Sequence, residues 1–194
     1  MWHKVEHTEE DQGVDHLWYQ GCNTKAIQEK EEEKMAEYMS ETTSSSENEN
    51  YLSEGADDLS YGDLTTIPDC LFERAKSIRA LSLHHNNINV VPKSINVFAS
   101  LITLDISNNN LHKLSDSMIH LKQLRTFIAK NNDLNCKSIP KDFSRLRSLE
   151  VLNLSANNFN ELPPQFTELP RLKALYLGGN AISSITGLIR NMSR

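Results

Sequence analysis

Cysteine is scarce in this chain of 194 residues: Cys22, Cys70 and Cys136 are odd in number and far apart. They form neither a disulfide framework nor a CxxC zinc pair, which suits a reducing compartment. No stretch of about 18 apolar residues occurs, so a membrane-spanning helix is excluded. The start, MWHKVEHTEEDQGVDHLW, carries charges where a secretory leader needs an apolar run, so export by that route is not expected. Seven glycines supply no GxGxxG or GxxxxGK[ST] phosphate loop, and HExxH and GxSxG are also missing. The histidines, including His84, His85, His112 and His120, do not fall at ligand spacing beside a cysteine or carboxylate. The expectation is a non-enzyme with no cofactor and no metal.

The charge is unevenly placed. Residues 1–60 hold 16 acidic and 4 basic side chains, a net of −12, and residues 61–194 hold 10 and 16, a net of +6, summing to −6. An acidic tail is therefore joined to a mildly basic body. Within the tail, KAIQEKEEEKMAEYM (25–39) favours helix by propensity, but Ile27, Met35, Tyr38 and Met39 do not make a continuous 3.6-period stripe. The following SETTSSSENENYLSEGADD has almost nothing to bury and is expected to stay disordered. Ser44 and Ser46 each precede a glutamate by three residues, Glu47 and Glu49, a pattern that acidophilic kinases accept. Trp2, Leu17, Trp18 and Tyr19 read either as a short docking motif or as a frayed end. The expected division is a largely disordered acidic tail over 1–58 and a folded unit over 59–194.

That folded unit is repetitive. Stretches beginning at Ile78, Leu101, Leu124, Leu149 and Leu172 read IRALSLHHNNI, LITLDISNNNL, LRTFIAKNNDL, LEVLNLSANNF and LKALYLGGNAI. Their starts lie 23, 23, 25 and 23 residues apart, and each copy fits LxxLxLxxNxL. A degenerate copy precedes them, with Leu59, Leu64, Ile67, Pro68 and Leu71 in phase. In LxLxx, alternate side chains face opposite sides of a short strand. Leu81, Leu104, Phe127, Leu152 and Leu175 therefore point inward, with Leu83, Ile106, Ala129, Leu154 and Leu177. The second half of each copy adds core from the other side, through Ile95, Phe98, Met118, Phe143, Phe166 and Ile189. Pro68, Pro92, Pro140 and Pro163 share one place and favour a narrow return, whereas Ser115 and Thr186 replace that proline and predict more helical returns.

The pattern resembles the leucine-rich repeat over about residues 59–194. The resemblance implies an α/β solenoid, a short horseshoe whose parallel strands line its concave face. One copy cannot bury its apolar side alone, and stacking makes a continuous core. Asn86, Asn109, Asn132, Asn157 and Asn180, one per copy, read as a structural ladder, because an amide side chain satisfies both donors and acceptors of a buried turn. The copies lack the cysteine-rich caps typical of secreted relatives and look like the intracellular 23-residue class, whose members commonly act as signalling scaffolds. AKNNDL, the insertion after it, PKDFSRLRSLEVLNLSANNFNELP and LGGN carry a closer likeness within that class. A longer run of repeats and a polar end cap are not seen, so a truncated product or fragment is expected.

Repeat phase also assigns the surface. The concave floor is expected to present Ser82, His84, Asp105, Ile128, Lys130, Asn153 and Tyr176, with Tyr176 as the aromatic anchor. Arg79, Lys122, Arg125, Arg147, Arg171 and Lys173 cluster near strand starts, on one lateral edge, with Lys76 and Arg145. That edge is expected to meet an acidic surface, a partner's or the tail's own, or else only to solubilise the protein. Cys136, in the third copy's two-residue insertion, is expected to be exposed. Little aromatic interleaving and an acidic total charge argue against nucleic acid. The reading is a monomeric protein-binding scaffold in intracellular signalling, cytoplasmic with the nucleus also compatible. The alternative is a substrate-recognition subunit of a cullin-type ubiquitin ligase, which needs a helical adaptor-docking segment that 25–39 is too charged to supply.

Overall fold

The computed structural model describes residues 55–183 and the short strand 17–19. The expected helix over 25–39, the phosphorylatable serines, and Thr186 and Ile189 lie outside the described residues. Six three-residue strands follow one another along the chain: β2 (Ala56–Asp58), β3 (Ala80–Ser82), β4 (Thr103–Asp105), β5 (Thr126–Ile128), β6 (Val151–Asn153) and β7 (Ala174–Tyr176). Each pairs in parallel with the next, and the centres Leu81, Leu104, Phe127, Leu152 and Leu175 stand in one row across the sheet. The strand β1 (Leu17–Tyr19) adds to the far edge, parallel to β7, with Trp18 opposite Leu175. The sheet order is β1-β7-β6-β5-β4-β3-β2.

Parallel strands need crossovers, and here each crossover is a single compact return. The returns carry 3-10 turns at Lys93–Val97, Asp116–His120, Cys136–Ser138 and Phe143–Arg145, and one-turn helices at α1 (Cys70–Glu73) and α2 (Pro164–Thr167). The expectation of a more helical return after Ser115 is corrected, since the turns after Pro92 and after Ser115 are both 3-10 and both five residues long. The reason is local: the Ser115 hydroxyl accepts from the Ser117 amide at 3.2 Å, holding the extended entry that proline holds elsewhere. Between sheet and returns lies one continuous core, with Leu104, Phe98, Phe127, Phe143 and Leu152 all fully buried.

Two backbone features recur once per coil. His85, Asn108, Asn131 and Ala156 have φ between 52° and 54°, and Gly179 has φ 71°, one left-handed residue before each ladder asparagine. Each asparagine then spans two coils. Asn132 Oδ1 accepts from the Leu111 amide at 2.9 Å, while its Nδ2 donates to the carbonyls of Ile106 and Ala129. Asn109 and Asn157 repeat this pattern, accepting from Ile88 and Leu134. Asn86 accepts from both Gly62 and Leu64, and Asn180 accepts from Phe159.

A sixth left-handed residue, Tyr61 at φ 55°, marks one more turn of the same kind. Counting back from it puts Asp57 where the later coils carry an inward leucine. The sheet thus begins at Ala56, inside the segment that composition assigns to the tail. Asp57 is 11% exposed and ion-pairs with Arg74, which closes the open end of the core with charge rather than with another apolar layer. The longer third coil has its own bonds: the Asn135 carboxamide oxygen accepts from the Lys137 amide at 2.9 Å, and the Ser138 hydroxyl donates to the His112 carbonyl at 2.7 Å. Cys136, expected outside, is half-buried, with its sulfur 3.3 Å from Asn160 Oδ1 and its side chain against the core. The insertion folds back onto the fourth coil instead of projecting.

Candidate functional site

Parallel pairing in register fixes three rows on the concave face. Ala80, Thr103, Thr126, Val151 and Ala174 form the first, and Ser82, Asp105, Ile128, Asn153 and Tyr176 the second. His84, Ser107, Lys130, Ser155 and Gly178 continue beyond them in phase. The rows are not uniformly accessible. Ala80, Ser82, His84, Thr103 and Asp105 are half-buried, as are Ile128 and Lys130. Val151, Asn153, Ala174 and Tyr176 are buried, at 1%, 7%, 8% and 6% exposure. Tyr176 is therefore not the open anchor that its position in the repeat suggests. With Val151 and Ala174 it makes an apolar cluster separate from the main core.

The open end of the floor has a different aromatic. Tyr61 is 70% exposed and stacks on His85 with ring centroids 4.4 Å apart, and it meets His84 edge-on at 5.3 Å. The two imidazoles touch through their Nδ1 atoms at 2.8 Å, so one must donate and the other accept. Beside them, the Asp58 carboxylate accepts from the Ser60 hydroxyl at 2.7 Å and from its amide at 3.0 Å. Those two bonds, with the nearby His84, hold the Asp58 carboxyl below the usual carboxylate range. Two nitrogens do not make a metal centre, and among the described residues no three His, Cys, Asp or Glu side chains come together as one. The arrangement instead offers an exposed ring, two imidazoles and a carboxylate, the polar-aromatic mixture that anchors protein contacts. Sequence reasoning missed Tyr61 because its coil is degenerate. The spacing of 24 residues from Tyr61 to His85 is the trace that would have found it.

The basic residues lie where the strands begin. Arg79 and Arg125 immediately precede β3 and β5, and Lys173 precedes β7. Glu150 sits between two of them, 2.8 Å from Lys173 and 3.8 Å from Arg125, and neutralises that stretch in part. Farther round the edge, burial and the like charges of Arg145 and Arg147 push the Lys122 ammonium below its ordinary value. The Lys122, Arg145 and Arg147 cluster is thus the crowded part of the edge, while Arg171 stands exposed one coil on. On the convex side, a groove of about 630 Å³ is lined by Lys113, Lys137 and Lys141 but also by Asp116 and Asp142. Its mixed charge favours no one ligand.

Comparison with known proteins agrees with this geometry. Residues 135–187 and 100–121 match leucine-rich-repeat family models. An 81-residue stretch is 45% identical to leucine-rich repeat-containing protein 58 of Xenopus tropicalis, covering 42% of this chain and 23% of that protein. The Homo sapiens protein of the same name is 40% identical over 84 residues, covering 41% and 23%. The matched part of the chain thus spans under a quarter of these curated relatives. Among solved structures, a leucine-rich-repeat protein of Leptospira interrogans superposes with a TM-score of 0.57 at 23% identity, covering 74% of this chain and 42% of that one, a likeness of fold. The body of the chain is a leucine-rich-repeat solenoid, an architecture that generally mediates protein–protein contacts.

Proposed function

We propose that the chain is a non-catalytic protein-binding module, a scaffold or adaptor in intracellular signalling, which takes its partner on the concave face and along the basic lateral edge. The observation that carries this reading is the open end of the concave floor. There Tyr61, His84, Ser82 and Asp105 form an accessible polar-aromatic surface on a rigid parallel sheet, and interfaces of this kind draw most of their energy from such anchors. The crowded cations at Lys122, Arg145 and Arg147 add long-range attraction for an acidic partner, acting mainly on association rate and on salt dependence.

The test is affinity capture from cell lysate with the full chain, read by mass spectrometry against two variants. Tyr61→Ala/Asp105→Lys alters the open floor, and Lys113→Glu/Lys141→Glu alters the convex groove. The expected result is a saturable partner that the convex variant retains and the floor variant loses. Equal capture by all three forms, or capture of chaperones alone, would overturn the reading.

A further inference from the structure

We infer that two successive turns on the basic edge form a phosphate-binding site that takes a phosphoserine or phosphothreonine from a segment of a partner protein, a site that rests on the reading of this edge as a docking surface and names what docks there. Leu121 (φ −74°, ψ 71°) and Leu146 (φ −73°, ψ 71°) have the conformation of an inverse γ-turn. In the first turn the Lys122 amide donates to the His120 carbonyl at 2.8 Å, and in the second the Arg147 amide donates to the Arg145 carbonyl at 2.9 Å. Both leucines are fully buried, and the residues on either side of each are exposed. His120 and Lys122 therefore stand beside Arg145 and Arg147 in the next coil. They make a two-by-two array of basic side chains, its coils one strand spacing apart, about 4.8 Å.

The array is rigidly based and short of counter-charge. The Ser148 hydroxyl donates to the Lys122 carbonyl at 2.7 Å, tying one turn to the next, and Lys122 Nζ donates to the Ile119 carbonyl at 2.6 Å. Burial, and then the charges of Arg145 and Arg147, push the Lys122 ammonium below its ordinary value. Asp142 reaches Arg145 only at 3.6 Å, with both side chains more than half exposed, and Glu150 lies on Arg125 and Lys173 instead. An anion over the array relieves this crowding. A phosphate monoester suits it better than a carboxylate, because it carries nearly two charges and three acceptor oxygens, and a guanidinium fork binds two of those oxygens at once. The flanks point to a protein source. In the coil before, Val97 and Ala99 hold the same places around Phe98, and Val97 is 41% exposed. In the coil after, Glu168 and Pro170 hold them around Leu169. Along the stacking direction the row thus runs from apolar through cationic to acidic. A segment lying along it sets an apolar residue on Val97, the phosphate on the array and a basic residue on Glu168. An anionic bilayer or a nucleic-acid backbone presents continuous negative charge, which Glu168 opposes.

The test passes the full chain, at about 150 mM salt, over two bead-bound libraries of short randomised peptides, alike except that the central serine of one is phosphorylated. Retention at least about tenfold greater on the phosphorylated library is expected, since only that library presents the dianion, and added inorganic phosphate should release the unaltered chain. Lys122→Ala/Arg147→Ala should abolish the difference. Lys113→Ala/Lys141→Ala, an equal loss of charge on the convex side, should keep it. Equal retention of the unaltered chain on the two libraries would overturn the inference. So would equal loss in both variants, because net charge rather than this array would then be read. Retention by neither library, with binding to vesicles containing phosphatidylinositol bisphosphate, would overturn it in favour of a membrane. Each of these failures leaves capture of a partner through the concave floor untouched, so the phosphate site and the wider reading can fail separately.

Discussion

Asn132 concentrates the logic of the coil in one side chain. Its amide meets a donor in the preceding coil and carbonyls in that coil and its own, all buried. Asn132→Ala removes both functions and leaves the Leu111 amide without a partner. Since each orphaned buried group costs about 1–3 kcal/mol, the expected loss is about 2–4 kcal/mol, read as a lower midpoint in urea at unchanged slope. Asn158→Ala serves as the contrast, because Asn158 is exposed and its backbone amide, which the substitution keeps, donates to the Leu134 carbonyl. It should shift stability by no more than about 0.5 kcal/mol. Similar losses for both variants would show that the ladder is not what joins the coils.

At the scale of elements, the first strand is the informative one. β2 has an aspartate, Asp57, at the place where β3 to β7 have leucine or phenylalanine. The ion pair to Arg74 makes that tolerable, as a charge at the end of a core costs little only while it is paired. Arg74→Ala is expected to destabilise by about 1–3 kcal/mol, because the carboxylate is left largely desolvated. Asp57→Leu/Arg74→Ala should recover most of that loss, and chemical denaturation of the single and double variants separates the two effects. A double variant no more stable than Arg74→Ala would mean that the pair does not close the core.

The same strand explains what could be read in advance. Strands β3 to β7 were legible in the sequence because their inward positions are apolar at a fixed period, and physics makes that period the fold. β2 was hidden because a paired charge replaced the apolar residue that pattern reasoning looks for. β1 was hidden because three residues hold no periodicity, and its pairing depends on an edge some 150 residues away. The concave rows followed from strand phase, but their accessibility did not. Tyr176 is buried on a strand that pairs with the sequence-distant β1, and no local pattern carries that information.

For the molecule as a whole, the core is a line of contacts rather than a ball. Each coil touches its neighbours, so a lesson learned at the centre differs from one learned at an end. Phe127→Ala hollows the middle of the line and should cost about 3–5 kcal/mol. Amide exchange should then quicken in every strand from β2 to β7, since neither half retains both neighbours. Ile67→Ala, in the first return, should quicken exchange in β2 and β3 while β5 to β7 keep their protection. Uniform loss of protection in both variants would instead indicate a single all-or-none unit.

The third coil, two residues longer than its neighbours, has a consequence of its own. An array of interchangeable coils could thread with one coil skipped and still bury leucine against leucine, a mispairing whose cost is small because its parts are alike. Here the extra residues bind backward, through the Ser138 hydroxyl on the His112 carbonyl, and forward, through Cys136 against Asn160. A skipped coil forfeits both contacts and leaves the surplus length with nowhere to fold. The irregular coil therefore gives the array an address: it tells each coil which neighbour is the right one, and so guards the order of assembly against slippage.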